Sequence, residues 1–212
     1  RNDNGTHTRI MPLVGITGGP ATGKSTVLEM LSALGAQVVD SDEIVHTLYR
    51  DDKDLARRLR RRWGEAAFCS DGTIDRQWVA RTVFHSDRER EWLNSLVHPR
   101  VRDRLVHRAD RCHPTEVYCA VPLLFEVGWQ SLMTTTCAVW CPEALQKRRL
   151  RRRGWDDQRI ERCLATQLPA NKKLEMADFG LLNPGRKRML REQCRRWIAL
   201  VRKEMASGEK RT

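Results

Sequence analysis

Apolar positions along this chain alternate between runs of strand length and stripes of helical spacing, and the changes mark its elements. Ile10 to Ile16 is an apolar stretch closed by Thr17-Gly18-Gly19 and reads as a buried first strand. Val27, Leu28, Leu31 and Leu34 then recur at helical spacing, and Gly35 stops that helix. Ala36 to Val39 is a second short strand, ending in Asp40-Ser41-Asp42. A strand, a helix and a strand within about thirty residues form a βαβ unit, which implies a parallel sheet.

From Glu43 to about His113 the pattern is mostly helical and richly charged, with a turn at Asp71-Gly72. Trp78, Val79, Thr82 and Val83 recur at helical spacing, as do Trp92, Leu93, Leu96 and Val97. About seventy such residues are too many for one crossover, so an inserted helical lobe is expected. Strands resume at Val117–Val121, Thr136–Trp140 and Phe179–Leu182, with a basic helical hairpin from Glu143 to Leu168 before the last of them. A closing helix from about Arg186 to Met205 puts Leu190, Cys194, Trp197, Ile198 and Val201 on one face. The expected fold class is α/β, a five-stranded parallel sheet flanked by helices, with a helical insertion and a helical lid. In residue numbers the core is 10–42, 114–141 and 169–212, the insertion 43–113 and the lid 142–168. Residues 1–9 are polar and aperiodic and are expected to be a disordered leader.

The loop after the first strand adds chemistry to this outline. Gly18 to Ser25 reads G-x-x-x-x-G-K-S in a strand–loop–helix context, the signature of a phosphate-binding P-loop. Its glycines let successive backbone N–H groups turn inward around phosphate oxygens, and the following helix points its positive end at them. Gly19, Ala21, Thr22, Gly23, Lys24, Ser25 and Thr26 are therefore expected to hold a nucleoside triphosphate. Lys24 supplies a point charge for the β- and γ-phosphates, and the Ser25 hydroxyl is the expected Mg²⁺ ligand.

Asp40 and Asp42 follow the second strand at its carboxyl end, where open α/β sheets bind ligands. A carboxylate there can take the proton from an attacking hydroxyl. The competing reading is a helix N-cap at Ser41 or Asp42. Arg148, Arg149, Arg151, Arg152 and Arg153 crowd one helix, with Arg148 and Arg152 on a shared face. Guanidinium groups suit a transferring phosphoryl group. A solvated basic face accounts for two or three of the five, and Gly154 can serve as a lid hinge.

Net charge is +12 over 212 residues, and most of the surplus lies in 142–168 and 185–212. That distribution suits a polyanionic small ligand plus a solvated helix, or a nucleic-acid footprint. No helicase-like or base-reading motif accompanies it, which favours a small-molecule kinase. Seven cysteines, odd in number and without a C-x-x-C pair, read as reduced thiols in a cytoplasmic protein. No apolar run approaches the ~18 residues of a membrane span.

These motifs converge on one family: the chain resembles dephospho-coenzyme A kinase. The matching residues are Gly15-Ile16-Thr17-Gly18-Gly19, Gly23-Lys24-Ser25-Thr26 and Val39-Asp40-Ser41-Asp42, then Asp71 to Arg76 and Val83-Phe84. Leu93, Leu96, Val97 and His98-Pro99 follow, then Val121-Pro122-Leu123-Leu124-Phe125-Glu126, Arg148 and Arg152 ahead of Gly154, and Gln167, Lys173, Ala177-Asp178 and Asn183. The resemblance implies transfer of the ATP γ-phosphate to the 3′-hydroxyl of dephospho-coenzyme A, the last step of coenzyme A biosynthesis. It makes Asp42 the proton acceptor, Lys24 and Ser25 the ATP and Mg²⁺ groups, and Arg148 and Arg152 the lid contacts. It places Asn183 near adenine, and His98, Leu123, Phe125 and Glu126 on the acceptor side. The partners it implies are ATP and dephospho-coenzyme A, without membrane or nucleic acid, on a monomer or weak homo-oligomer. Another nucleoside or metabolite kinase, or a nucleic-acid-binding P-loop NTPase, is the alternative. The chain departs from the family pattern at Pro20 and Ala21, at Pro184 after Asn183, and in the additional charges of Arg149, Arg151 and Arg153.

Overall fold

The computed structural model describes residues 13–112 and 116–207. Residues 1–9, the start of the first expected strand and His113 lie outside them. Five parallel strands form the sheet: β1 (Leu13–Thr17), β2 (Gln37–Asp40), β3 (Val117–Ala120), β4 (Thr135–Trp140) and β5 (Phe179–Leu182). Their spatial order is β2-β3-β1-β4-β5, so β1 is central and fully buried. Pairing of Val14 with both Tyr118 and Thr135 sets the register on its two sides. The chain reverses its winding direction across β1, and the loop after such a strand is where doubly wound sheets bind ligands.

Helix α1 (Lys24–Ala33) buries Val27, Leu28, Met30 and Leu31. The last helix, α9 (Lys187–Ser207), buries Leu190, Cys194, Trp197, Ile198 and Val201, the stripe expected from the sequence. Both helices cover one face of the sheet, where Val14, Ile16, Tyr118, Cys137, Val139 and Leu181 complete the core. Trp197 meets Tyr118 edge-on, with ring centroids 5.3 Å apart. Each large side chain so buried contributes about 1.5–3 kcal/mol, which makes this layer the main source of stability for the sheet.

The chain divides into two compact units, one made of residues to 40 and from 109 on, the other of 41–108. The second is helical: α2 (Ser41–Asp51), α3 (Lys53–Trp63), α4 (Arg76–His85) and α5 (Asp87–Cys112), whose last residues fall in the first unit. Leu48, Leu55, Leu59, Val79, Leu93, Val97, Val101 and Leu105 are among its buried apolar residues. Asp52 caps α3 through the Leu55 N–H, and Asp75 caps α4 through Gln77 and Trp78. Asp71 accepts from the Thr73 N–H and hydroxyl, closing the turn before it. The Asp71–Arg76 segment therefore serves as a turn and a cap.

Three tryptophans, Trp63, Trp78 and Trp92, pack together in this unit, with centroids 5.6 and 5.0 Å from Trp63. Glu89 accepts from the Arg62 guanidinium and from the Trp63 indole, and these bonds lower its pKa from 4.5 to about 2. A carboxylate depressed in the folded state stabilises it above the unfolded pKa and loses that contribution as pH falls through the folded one. Glu89→Gln should therefore lower the unfolding midpoint at pH 7, and the deficit should shrink as pH falls from 4.5 towards about 2. Thermal unfolding of both proteins across that range checks this; a pH-independent deficit would rule the carboxylate out as its source.

The structure corrects several local expectations. Each strand lies within one residue of its expected bounds at the described ends, but α2 begins at Ser41, so Ser41 and Asp42 occupy its first turn and neither is its N-cap. His98 is in the middle of α5, and Pro99 stands inside that helix where the sequence rule favours extended backbone before proline. Proline removes one ladder donor, and the next residue, Arg100, donates from its side chain to the Leu96 carbonyl at 2.8 Å. The basic hairpin resolves into α6 (Glu143–Arg151) and α7 (Asp157–Ala165). A further helix, α8 (Ala170–Met176), has no apolar stripe to announce it, because its buried residue is Lys173.

Candidate active site

The loop between β1 and α1 is built from close contacts. Gly23 has φ +113°, and a Cβ there would stand 2.2 Å from the Asn183 amide nitrogen. At Gly18 (φ +150°) it would stand 2.4 Å from the Val139 carbonyl oxygen. Neither position can carry a side chain, which is the physical content of the two glycines in the motif. Thr22 is buried, its hydroxyl donates to the Gly19 carbonyl at 2.9 Å, and its N–H makes a long 3.4 Å contact with the same oxygen. These bonds make a tight turn over 19–22. Pro20 removes one N–H, leaving the cradle to the remaining amides and the first turn of α1.

Lys24 opens α1, and its ammonium donates to the Gly18 and Gly19 carbonyls at 2.8 and 3.0 Å, across the loop. From there it is within reach of any phosphate in the cradle. Ser25 is exposed, and its hydroxyl bonds to no other described residue. Thr26 is half-buried in the same first turn.

The five arginines between 148 and 153 separate by their contacts. Arg148, Arg152 and Arg153 are exposed and make no side-chain bond among the described residues. Arg151 pairs with Asp157 at 2.7 Å. Arg149 turns under the helix and donates to the carbonyls of Ala21 (3.0 Å), Thr22 (3.2 Å) and Asn183 (3.2 Å). Beside it lies the Cys141 thiol, whose pKa burial raises while Arg149 and Lys24 pull it down. Gln146 is 3% exposed; its amide nitrogen donates to the Cys141 carbonyl, and its oxygen lies against Gly19. Arg149 carries no sequence signal of this kind, since a solvated basic face covers two or three of the five arginines without saying which, and Gln146 lies unmarked in the same basic hairpin.

Asn183 is buried, and its amide nitrogen donates to the Thr22 carbonyl at 2.7 Å, while its own N–H extends the β4–β5 ladder to Trp140. Its side-chain nitrogen thus holds the phosphate loop to the end of β5. Pro184 is compatible with this extended placement. Glu126 pairs with Lys173 at 2.8 Å and accepts the Leu168 N–H, and Lys173 also donates to the Pro122 carbonyl at 2.5 Å. Burial lowers the Lys173 pKa, and Glu126 opposes that shift. An unpaired buried cation is costly, so Glu126 is committed to the turn that follows β3. Phe125 is 8% exposed and packs inward, whereas Leu123 in the same turn is half-buried.

Two of the singled-out residues belong to the helical unit. Asp42 is exposed in the first turn of α2, two residues beyond the carboxyl end of β2. His98 is half-buried in α5, and burial lowers its pKa, which favours a neutral imidazole at pH 7.

The dephospho-CoA kinase family model matches residues 12–188, a span holding the phosphate loop, the turn after β3, α6 and Asn183. The chain belongs to the dephospho-CoA kinase family. Dephospho-CoA kinase of Geobacillus kaustophilus is 33% identical over 201 residues, covering 93% of this chain and 98% of that one. TT1252 from Thermus thermophilus has a TM-score of 0.76 at 31% identity, over 89% of this chain and 96% of its own. Dephospho-CoA kinase from Campylobacter jejuni shares the fold at a TM-score of 0.62 and 21% identity, over 90% and 97% of the two chains. The protein is thus a P-loop kinase and a phosphotransferase, with ATP as the family's phosphoryl donor. No helix among the described residues is long and apolar enough to cross a membrane.

Proposed function

We propose that this kinase transfers the γ-phosphoryl group of ATP to the 3′-hydroxyl of dephospho-coenzyme A, giving coenzyme A and ADP. The observation that carries the reading is the continuous family match over 12–188, which includes the acceptor-side segments as well as the generic phosphate loop. Backbone amides of 19–23 and of the first turn of α1 hold the triphosphate, with Lys24 on its β- and γ-oxygens. Ser25 offers an exposed, unengaged hydroxyl beside Lys24, which fits a Mg²⁺ ligand. Bound Mg²⁺ offsets charge on the β- and γ-phosphates.

Asp42 takes the proton of the attacking hydroxyl, and the exposed guanidinium groups of Arg148 and Arg152 meet charge on the transferring group. The helical unit, with His98, receives the acceptor, and residues 142–168 act as the lid. Leu123 offers apolar contact to the acceptor. Asn183 lies on the adenine side and Phe125 and Glu126 on the acceptor side, and each also holds its own loop in place. All seven cysteines are free thiols, which suits a cytoplasmic protein.

Purified protein with Mg-ATP should release ADP in step with coenzyme A formation when given dephospho-coenzyme A. Adenosine, AMP and single-stranded DNA should be poor substitutes. ADP release indifferent to dephospho-coenzyme A but raised by another acceptor would overturn the substrate and leave the kinase standing. Stimulation by DNA, falling steeply with salt, would point to the nucleic-acid reading instead.

A further inference from the structure

Ala21 of the phosphate loop and Arg149 of α6 touch each other. Ala21 has φ +55° and is the one non-glycine residue with positive φ among the described residues. That backbone is disfavoured for any residue with a Cβ, and it persists where its surroundings hold it. The Arg149 guanidinium supplies the holding contact: Nη1 donates to the Ala21 and Thr22 carbonyls, and Nη2 to the Asn183 carbonyl. The Asn183 side chain donates to the same Thr22 oxygen, so that carbonyl is fixed from two directions.

We propose that Arg149 is a positioning residue that keeps the phosphate loop in its anion-binding shape and offsets the left-handed backbone at Ala21. The reasoning follows from peptide planarity. In a trans peptide the C=O and the next N–H point in opposite directions. Fixing the Ala21 and Thr22 carbonyls towards Arg149 therefore turns the N–H groups of Thr22 and Gly23 the other way. Thr22 N–H is held there by no more than its long contact with Gly19. A rigid planar fork with several donors can serve two carbonyls of the loop and one of the neighbouring strand end together, which a single ammonium cannot. Arg148, one residue earlier, is exposed and unpaired among the described residues, so adjacent arginines carry different tasks.

Arg149 acts on the ground-state cradle, so its loss should weaken ADP and ATP alike. This separates it from Arg148 and Arg152, which are expected to act on turnover. Calorimetric binding of Mg-ADP to Arg149→Met should be weaker by about 10- to 100-fold, the range for losing charge-assisted hydrogen bonds. Arg149→Lys should recover part of that loss. In an Ala21→Gly background the same Arg149→Met change should cost markedly less, about threefold, because glycine adopts positive φ unaided.

Amide hydrogen exchange at Thr22 and Gly23 gives a second reading in the nucleotide-free protein and should quicken in Arg149→Met and Arg149→Lys. The proposal rests on the kinase reading, but nucleotide binding needs no acceptor. Failure with dephospho-coenzyme A in the parent protein is therefore a separate result. Unchanged ADP and ATP affinity in Arg149→Met, with turnover alone reduced, would overturn the positioning role and make Arg149 a direct contact of the transferring group. Equal losses from Arg149→Met in the parent and in the Ala21→Gly background would overturn the link to Ala21.

Discussion

Asp42→Asn protein should bind ATP within a few-fold of the parent and turn over about 10²-fold or more slowly with dephospho-coenzyme A, the scale of a lost general base. The carboxylate stands in the first turn of α2, beyond the strand end where this class of sheet binds ligands. Asparagine keeps the shape and most of the hydrogen bonding but accepts no proton at neutral pH. A structural role in starting the helix would appear as lost stability with turnover preserved, since a carboxylate near a helix N-terminus contributes about 0.3–1 kcal/mol. Single-turnover rates and thermal unfolding on the same preparations separate the two. Near-normal turnover would remove Asp42 from the reaction.

Arg148→Met and Arg152→Met should each lower kcat by about 10²–10³ while changing ATP affinity little, because the charge they meet develops during transfer. Both guanidinium groups are exposed and unpaired among the described residues, so neither substitution breaks a bond that holds the fold. Arg151→Met, which loses an exposed pair with Asp157, serves as the control and should change stability by no more than about 1 kcal/mol. Hydrogen exchange over 143–168 should slow when ATP and dephospho-coenzyme A are both bound. If saturation leaves exchange unchanged, the segment does not close and a solvated basic face is the better description. A rise in KM for ATP with kcat preserved would instead place these arginines in ground-state binding.

The contrast between Arg148 and Arg149 shows where reading the sequence stops. Spacing places both on one helix, and composition marks both as cations. What distinguishes them is a contact 128 residues away in sequence, from Arg149 to Ala21, and no local pattern encodes it. Lys173 is a similar case. A lysine in a polar stretch reads as exposed, yet it is fully buried because Glu126 and the Pro122 carbonyl neutralise and solvate its head. Asn183 and Phe125 look like ligand contacts from their motifs, and packing adds what the motifs do not show: an Asn183 bond to the Thr22 carbonyl and a buried Phe125 ring.

The sequence by itself determined the strand–loop–helix at 13–33, the alternation of strands and helices, the apolar stripe of α9 and the chemistry of the phosphate loop. These rest on period, on glycine's backbone freedom and on residue type, all expressed within a few neighbouring positions. Tertiary structure alone decided the strand order β2-β3-β1-β4-β5, the continuation of α5 through Pro99, and the division of five arginines into exposed, paired and loop-holding groups. Those outcomes depend on which distant carbonyls and carboxylates come within hydrogen-bond reach once the sheet has closed. That is a property of the packed chain and not of any segment of it.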